Sequence, residues 1–319
     1  MPHKRMRIYG VVLAVVAACV PAAAIERGVM LRDGVIYVSP STTSAKLSNI
    51  GRGREVAVME RSPGWVNVVG TVQVSQDPEN EADRNVTGWV EDKGVIMTTT
   101  PDGDRILYGE AFDCEMEASR RSGRPGAAQD ALRLYARIPE YFPQSPLAAE
   151  AAYRAADIRW QIEAVDAQSR PSAKVRDPEL HTQIDEEHMK RVMKKYPQTK
   201  WADLAAYHLI DNKLCGDWEG LPKCPETEGA IYLKYAEEHP QSPKAPEALY
   251  KAAWRYSTLI EIYKSSNQAK KSEEAMARSL DVAKKLIAQY PNDTDWSCRA
   301  QRLIYMVQNK MPTFGSNVQ

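Results

Sequence analysis

Neither sign of charge is in excess in this 319-residue chain, where 42 lysines and arginines face 42 aspartates and glutamates. Without Lys4, Arg5 and Arg7, which lie in a basic leader, 39 bases face 42 acids, a balance of −3. Such a surface gives no electrostatic case for nucleic acid. Long apolar runs are missing too: the one from Ile8 to Val20 is too short to span a bilayer comfortably. Enzyme fingerprints are absent, with no Gly-x-Ser-x-Gly elbow, P-loop, dinucleotide fingerprint or HExxH. Gly51-Arg52-Gly53 is a turn before a strand, and Asp185-Glu186-Glu187 reads as a wet helix face. His181, Asp185 and His188 fall at i, i+4 and i+7 of a predicted helix over 179–196. No further strong ligand joins them, so no metal and no cofactor is expected.

Cysteine is scarce as well, at five residues. One lies in the leader, where a basic stretch, the apolar run and Ala22-Ala23-Ala24 form a signal peptide over 1–24 with the mature start at Ile25. A second reading competes: Val16-Ala17-Ala18-Cys19 resembles a lipobox, on which Cys19 becomes the lipidated first residue. Export permits disulfides. Cys215 and Cys224 flank a Gly- and Pro-bearing loop that a bridge would staple. Cys114 and Cys298 sit far apart in predicted helices and read as buried thiols.

What the chain does have is a short motif in four copies. It reads Tyr141-Phe142-Pro143-Gln144-Ser145-Pro146, Lys195-Tyr196-Pro197-Gln198-Thr199, Glu238-His239-Pro240-Gln241-Ser242-Pro243 and Gln289-Tyr290-Pro291-Asn292-Asp293-Thr294. Each central proline ends a helix. The following Ser145, Thr199 or Ser242 caps the next, with Pro146 and Pro243 expected on its first position. Asp293 or Thr294 serves as cap in the fourth copy. Five residues before the proline stand Ile138, Val192, Tyr235 and Leu286; eight before, Tyr135, Met189, Tyr232 and Ala283. After it, Ala148, Ala202 and Ala245 stand at +5, Ala151, Ala205 and Ala248 at +8, and Tyr153, Tyr207 and Tyr250 at +10. Small residues on one face let helices approach closely, and the tyrosine closes the contact. The tyrosines have a second reading, as anchors that stack on a bound peptide. The fourth copy, with Trp296, Arg299 and Gln301 at these offsets, reads as a terminal cap.

Residues 109–310 thus resemble tetratricopeptide repeats, in the Tyr-Pro-x-Ser-x-x-Ala form of BamD-type outer-membrane assembly lipoproteins and Tol-associated coordinator proteins. The prolines are 54, 43 and 51 residues apart, against about 34 in the usual repeat, so the helices or loops must be extended. The resemblance implies an all-α helical solenoid that holds protein segments.

Residues 25–98 read as short strands between glycine turns, a small all-β barrel. Ser39-Pro40-Ser41, Gly53 to Val58, Gly64-Trp65-Val66-Asn67-Val68 and Gly88-Trp89-Val90 resemble bacterial SH3 domains, which implies an SH3-like β-barrel with cell-wall peptides or glycans as ligands. Tyr37-Val38-Ser39 departs from that family's Asn-Val-Arg, and residues 71–86 insert a polar loop with Asp77, Glu79, Glu81 and Asp83. Those acids lack calcium-loop spacing and read as solvated. Trp65 and Trp89 are core or rim first and ligand platform second.

A linker over 99–108 separates the two parts, and 311–319 is expected to be a loose tail. The expectation is a multidomain, non-enzymatic adaptor, periplasmic or otherwise exported. Its partner is a protein or peptide of the cell envelope, with a membrane reached only through a lipid on Cys19. Two rivals stand: a peptidoglycan anchor acting through the barrel, and a hydrolase with an unrecognised site.

Overall fold

The computed structural model describes residues 26–73, 83–216 and 218–313. The leader, with Cys19 and Ile25, and the loop acids Asp77, Glu79 and Glu81 lie outside the described residues. An antiparallel seven-stranded sheet comes first and a helical region follows.

The strands are β1 (Glu26–Met30), β2 (Gly34–Tyr37), β3 (Lys46–Ile50), β4 (Glu55–Ser62), β5 (Trp65–Gln73), β6 (Asp83–Glu91) and β7 (Val95–Met97), in spatial order β3-β2-β6-β5-β4-β1-β7. Alternation sets which way each side chain points. Val66, Val68, Val86 and Val90 enter the core with Ile36, Ile50 and Val56. Trp65, Asn67 and Trp89 stay half-buried on the opposite face. The sheet curls enough that a Cβ on Gly70 of β5 would meet Ile50 of β3 at 2.6 Å.

The helices are α1 (Gly103–Ala118), α2 (Ala127–Tyr141), α3 (Ala148–Ser169), α4 (Glu187–Lys195), α5 (Lys200–His208), α6 (Lys223–Glu238), α7 (Ala245–Ser265), α8 (Ala269–Gln289) and α9 (Thr294–Gln308). Successive helices pack across short hinges, and the small residues meet at the contacts. Ala151, Ala205 and Ala248 are wholly buried, as are Ile138, Met189 and Leu286 on the preceding helices. Thr199 caps α5, its hydroxyl accepting from the Ala202 N–H, and Asp293 caps α9 by accepting from Trp296.

Several expectations are corrected. Pro146 and Pro243 precede their helices by two residues. Ser145 Oγ accepts from Leu147 N–H at 3.1 Å, and Ser242 Oγ from Lys244 N–H at 3.1 Å. Each hydroxyl stabilises one tight turn before the helix starts. The expected linker over 99–108 is mostly helix, because Leu107, Ala111 and Cys114 form a buried face of α1 that starts at Gly103. The helix expected over 179–196 begins only at Glu187. The Asn212 side chain pairs with both the N–H and the C=O of Ile184, giving that backbone its hydrogen bonds outside a helix. Cys298 is exposed, off the buried α9 face of Ala300, Leu303 and Val307. The tail is not loose at its start: Lys310 takes a left-handed turn, and Thr313 is buried with its hydroxyl donating to Ser257 at 2.8 Å.

Sheet and helices are docked rather than strung. Val29 and Ile96 share a core with Leu107, Leu134, Tyr135 and Ile138. The Gly53 turn, at φ +69°, lies against α2, where a Cβ would meet that of Arg133 at 2.7 Å. Arg133 donates to the Arg52 carbonyl at 3.1 Å, and Arg52 pairs with Glu110 at 3.0 Å.

Candidate functional site

Three places were marked by sequence or are marked by geometry. The first is the outer face of the sheet. Tyr37 meets Trp65 edge-on with centroids 5.6 Å apart, and Tyr37 and Asn67 both lie opposite Trp89 in the ladder. Asn67 Oδ1 is out of solvent and accepts no hydrogen bond among the described residues. The two tryptophans named from sequence therefore come together with Tyr37, which the sequence marked only as a departure from the SH3 pattern, and with the Asn67 amide, which it did not single out.

The second is the tyrosine series. Tyr153 packs on Trp201 at 5.4 Å and its hydroxyl lies 3.2 Å from His208 Nε2. Tyr250 packs on Trp296 at the same 5.4 Å. Tyr207 packs on Tyr232 and Tyr235, with Lys244 and Lys251 over its ring. Burial pushes all three phenols up. Tyr250 is 2% exposed and offers no face to a bound segment; Tyr153 and Tyr207 are half-buried between helices. Joining successive hinge units is thus the role their surroundings support, and the stacking-anchor reading fails for Tyr250.

The third is a crevice of about 360 Å³ between α2 and α4, floored by α3. Its floor is Ala152, Ala155 and Ala156, with Leu132, Ala136 and Val192 on the walls. Arg159, Arg191 and Lys195 bring positive charge to it, against Glu140. Glu140 is paired with Arg137 at 2.7 Å. Arg159 is half-buried and makes no hydrogen bond or ion pair among the described residues. Burial, with Arg159 and Arg191 beside it, holds the His188 imidazole below its ordinary value. Tyr196 also lines the crevice, and its hydroxyl is buried with no hydrogen-bond partner among the described residues. His188, Arg191 and Lys195 are spaced i, i+3 and i+7, a face readable from sequence; Arg159 joins them only through folding.

The histidine–aspartate trio comes apart. His181 and Asp185 precede α4; His181 Nε2 lies 2.5 Å from the Val175 carbonyl, and Asp185 accepts from Glu187 N–H. Among the described residues no three histidine, cysteine or acidic side chains gather as metal ligands. Cys215 and Cys224 are joined by a disulfide with Cα atoms 6.0 Å apart. No described helix is long and apolar enough to cross a membrane.

No family model and no curated protein matches this chain. Among solved structures, a chain titled "DHF58 filament" overlaps 65% of this chain and 91% of its own at 16% identity and a TM-score of 0.23. Another, "DHF79 filament", overlaps 64% and 99% at 14% identity and a TM-score of 0.19. Scores this low assign neither fold nor function.

Proposed function

We propose that this protein is a non-enzymatic adaptor of the cell envelope, in which a tetratricopeptide-like array holds a segment of a partner protein. The SH3-like sheet adds a second contact, and two joined weak contacts raise avidity. One observation carries the reading: the hinges bury the same offsets, in all four copies before the proline and in the first three after it. Ile138, Val192, Tyr235 and Leu286 are all buried before the proline, and Ala151, Ala205 and Ala248 after it. Stacked pairs of this kind expose long surfaces suited to extended segments. The leader read in the sequence supports a site in the periplasm or otherwise outside the cytoplasm.

Photo-cross-linkers at the exposed helix positions Phe112, Ile162 and Tyr305, in intact envelopes, test it. Discrete protein adducts are expected, and their absence at all three positions overturns the reading. A second reading, peptidoglycan anchoring, is favoured by the grouped Tyr37, Trp65 and Trp89 beside the undonated Asn67 oxygen. Sacculi that retain the full chain, but not the Trp65→Ala or Trp89→Ala variants, select it. Turnover of ester, peptide or glycan substrates by the purified protein would select the hydrolase rival instead.

A further inference from the structure

We propose that the crevice between α2 and α4 is the seat of the partner segment, and that this segment carries a carboxylate beside apolar side chains. The proposal rests on the adaptor reading and adds to it a place and a chemistry.

The floor of alanines removes bulk where a chain would lie, and about 360 Å³ is room for a few side chains rather than for a folded domain. Apolar surface there favours an apolar stem. The cations decide the rest. Arg191 has an exposed ion pair with Glu187, and Lys195 reaches the Pro139 carbonyl at 3.4 Å and the Tyr196 ring but makes no ion pair among the described residues. Arg159, half-buried, makes no ion pair or hydrogen bond among the described residues, and the crevice's one acid, Glu140, is paired with Arg137. A guanidinium left unpaired in a partly desolvated crevice is a ready partner for a planar carboxylate, which it grips with two parallel N–H donors. Burial first, and then Arg159 and Arg191 beside it, lower the pKa of the His188 imidazole, which adds no negative charge to the crevice. Walls of low dielectric focus the field of these cations on the crevice mouth. A lipid surface does not enter a slot between two helices, and an even overall charge gives no stripe for nucleic acid.

Fluorescence anisotropy of the full chain with a labelled heptapeptide of alternating leucine and glutamate tests this. The leucine–glutamine peptide is the charge control. Binding of the acidic peptide is expected, weakened about tenfold or more by Arg159→Ala, by Arg159→Glu and by the switch to glutamine. Lys270→Glu, at an exposed cation outside the crevice, should leave it unchanged. Equal binding of the two peptides, no binding of the acidic one, or indifference to both Arg159 variants overturns the proposal. Pelleting with phosphatidylglycerol vesicles that Arg159→Glu abolishes overturns it in favour of a membrane. Photo-cross-linking separates its failure from that of the adaptor reading. Adducts from Tyr305 but none from Glu140 on the crevice rim sink the crevice alone, whereas no adducts at any helix position sink both.

Discussion

Arg255 Nε donates to Glu228 Oε2 at 2.7 Å, with the two side chains 6% and 2% exposed. The other Glu228 oxygen accepts from the Cys215 N–H at 2.9 Å and from the Trp218 indole at 3.1 Å. One buried carboxylate therefore ties α7 to the disulfide loop ahead of α6. Removing a single partner of a buried pair leaves an uncompensated charge, at about 3–5 kcal/mol. Arg255→Met should cost that much in urea denaturation. Glu228→Leu should cost more, because it orphans the two other donors as well.

The bridge between Cys215 and Cys224 closes a loop with a sequence separation of nine. Loop-closure entropy for a ring this small gives about 2–3 kcal/mol. Cys215→Ser with Cys224→Ser should lower stability by that amount, and a reductant should lower the wild type to the level of the double variant. Thermal melts with and without reductant check both.

Glu55 joins sheet to helices, accepting from Arg27 and from the Tyr141 hydroxyl at 2.8 Å and pairing with Arg137 at 3.3 Å. Burial alone would raise its pKa, but the bonds from Arg27 and Tyr141 outweigh it and the carboxyl lies below its ordinary value. A depressed folded pKa means stabilisation that is complete above the unfolded value, about 4.3, and lost as pH falls through the folded one. Unfolding free energy measured downward from pH 6 should therefore fall below about pH 4.3. Glu55→Gln should flatten part of that slope.

Gly229 of α6 lies against the ring of Tyr256, where a Cβ would come within 2.7 Å. Alanine is the better helix former by about 1 kcal/mol, so on propensity alone Gly229→Ala would stabilise. Tyr256 is 1% exposed and has no room to retreat. Overpacking of about 1–3 kcal/mol should win, and the variant should melt lower than the wild type.

Much of this was readable in the residues, because hinge chemistry is local. A proline, a hydroxyl and an alanine face fix a helix–turn–helix whatever surrounds them, and Ala151, Ala205 and Ala248 are buried as their spacing implies. Valines alternating with Trp65 and Trp89 marked the strands in the same way. The misses come from contacts between distant residues. Asn212 holds Ile184 outside the helix from 28 positions away, which no helical periodicity reveals. The polar run Asp102-Gly103-Asp104 reads as linker until Ser145 is seen donating to Asp104 at 2.5 Å. Arg159 has no local mark at all, since its isolation in the crevice depends on which helices pack around it.

One helix belongs to two interiors. Ala151 and Ile158 of α3 sit among α1, α2 and the sheet, while Ala156 and Trp160 on its other flank pack with Met189, Val192 and Ala205. A party wall of this kind leaves neither room independent. A ligand wedged between α2 and α4 presses on the shared wall itself, so its arrival should be felt as far away as the strands.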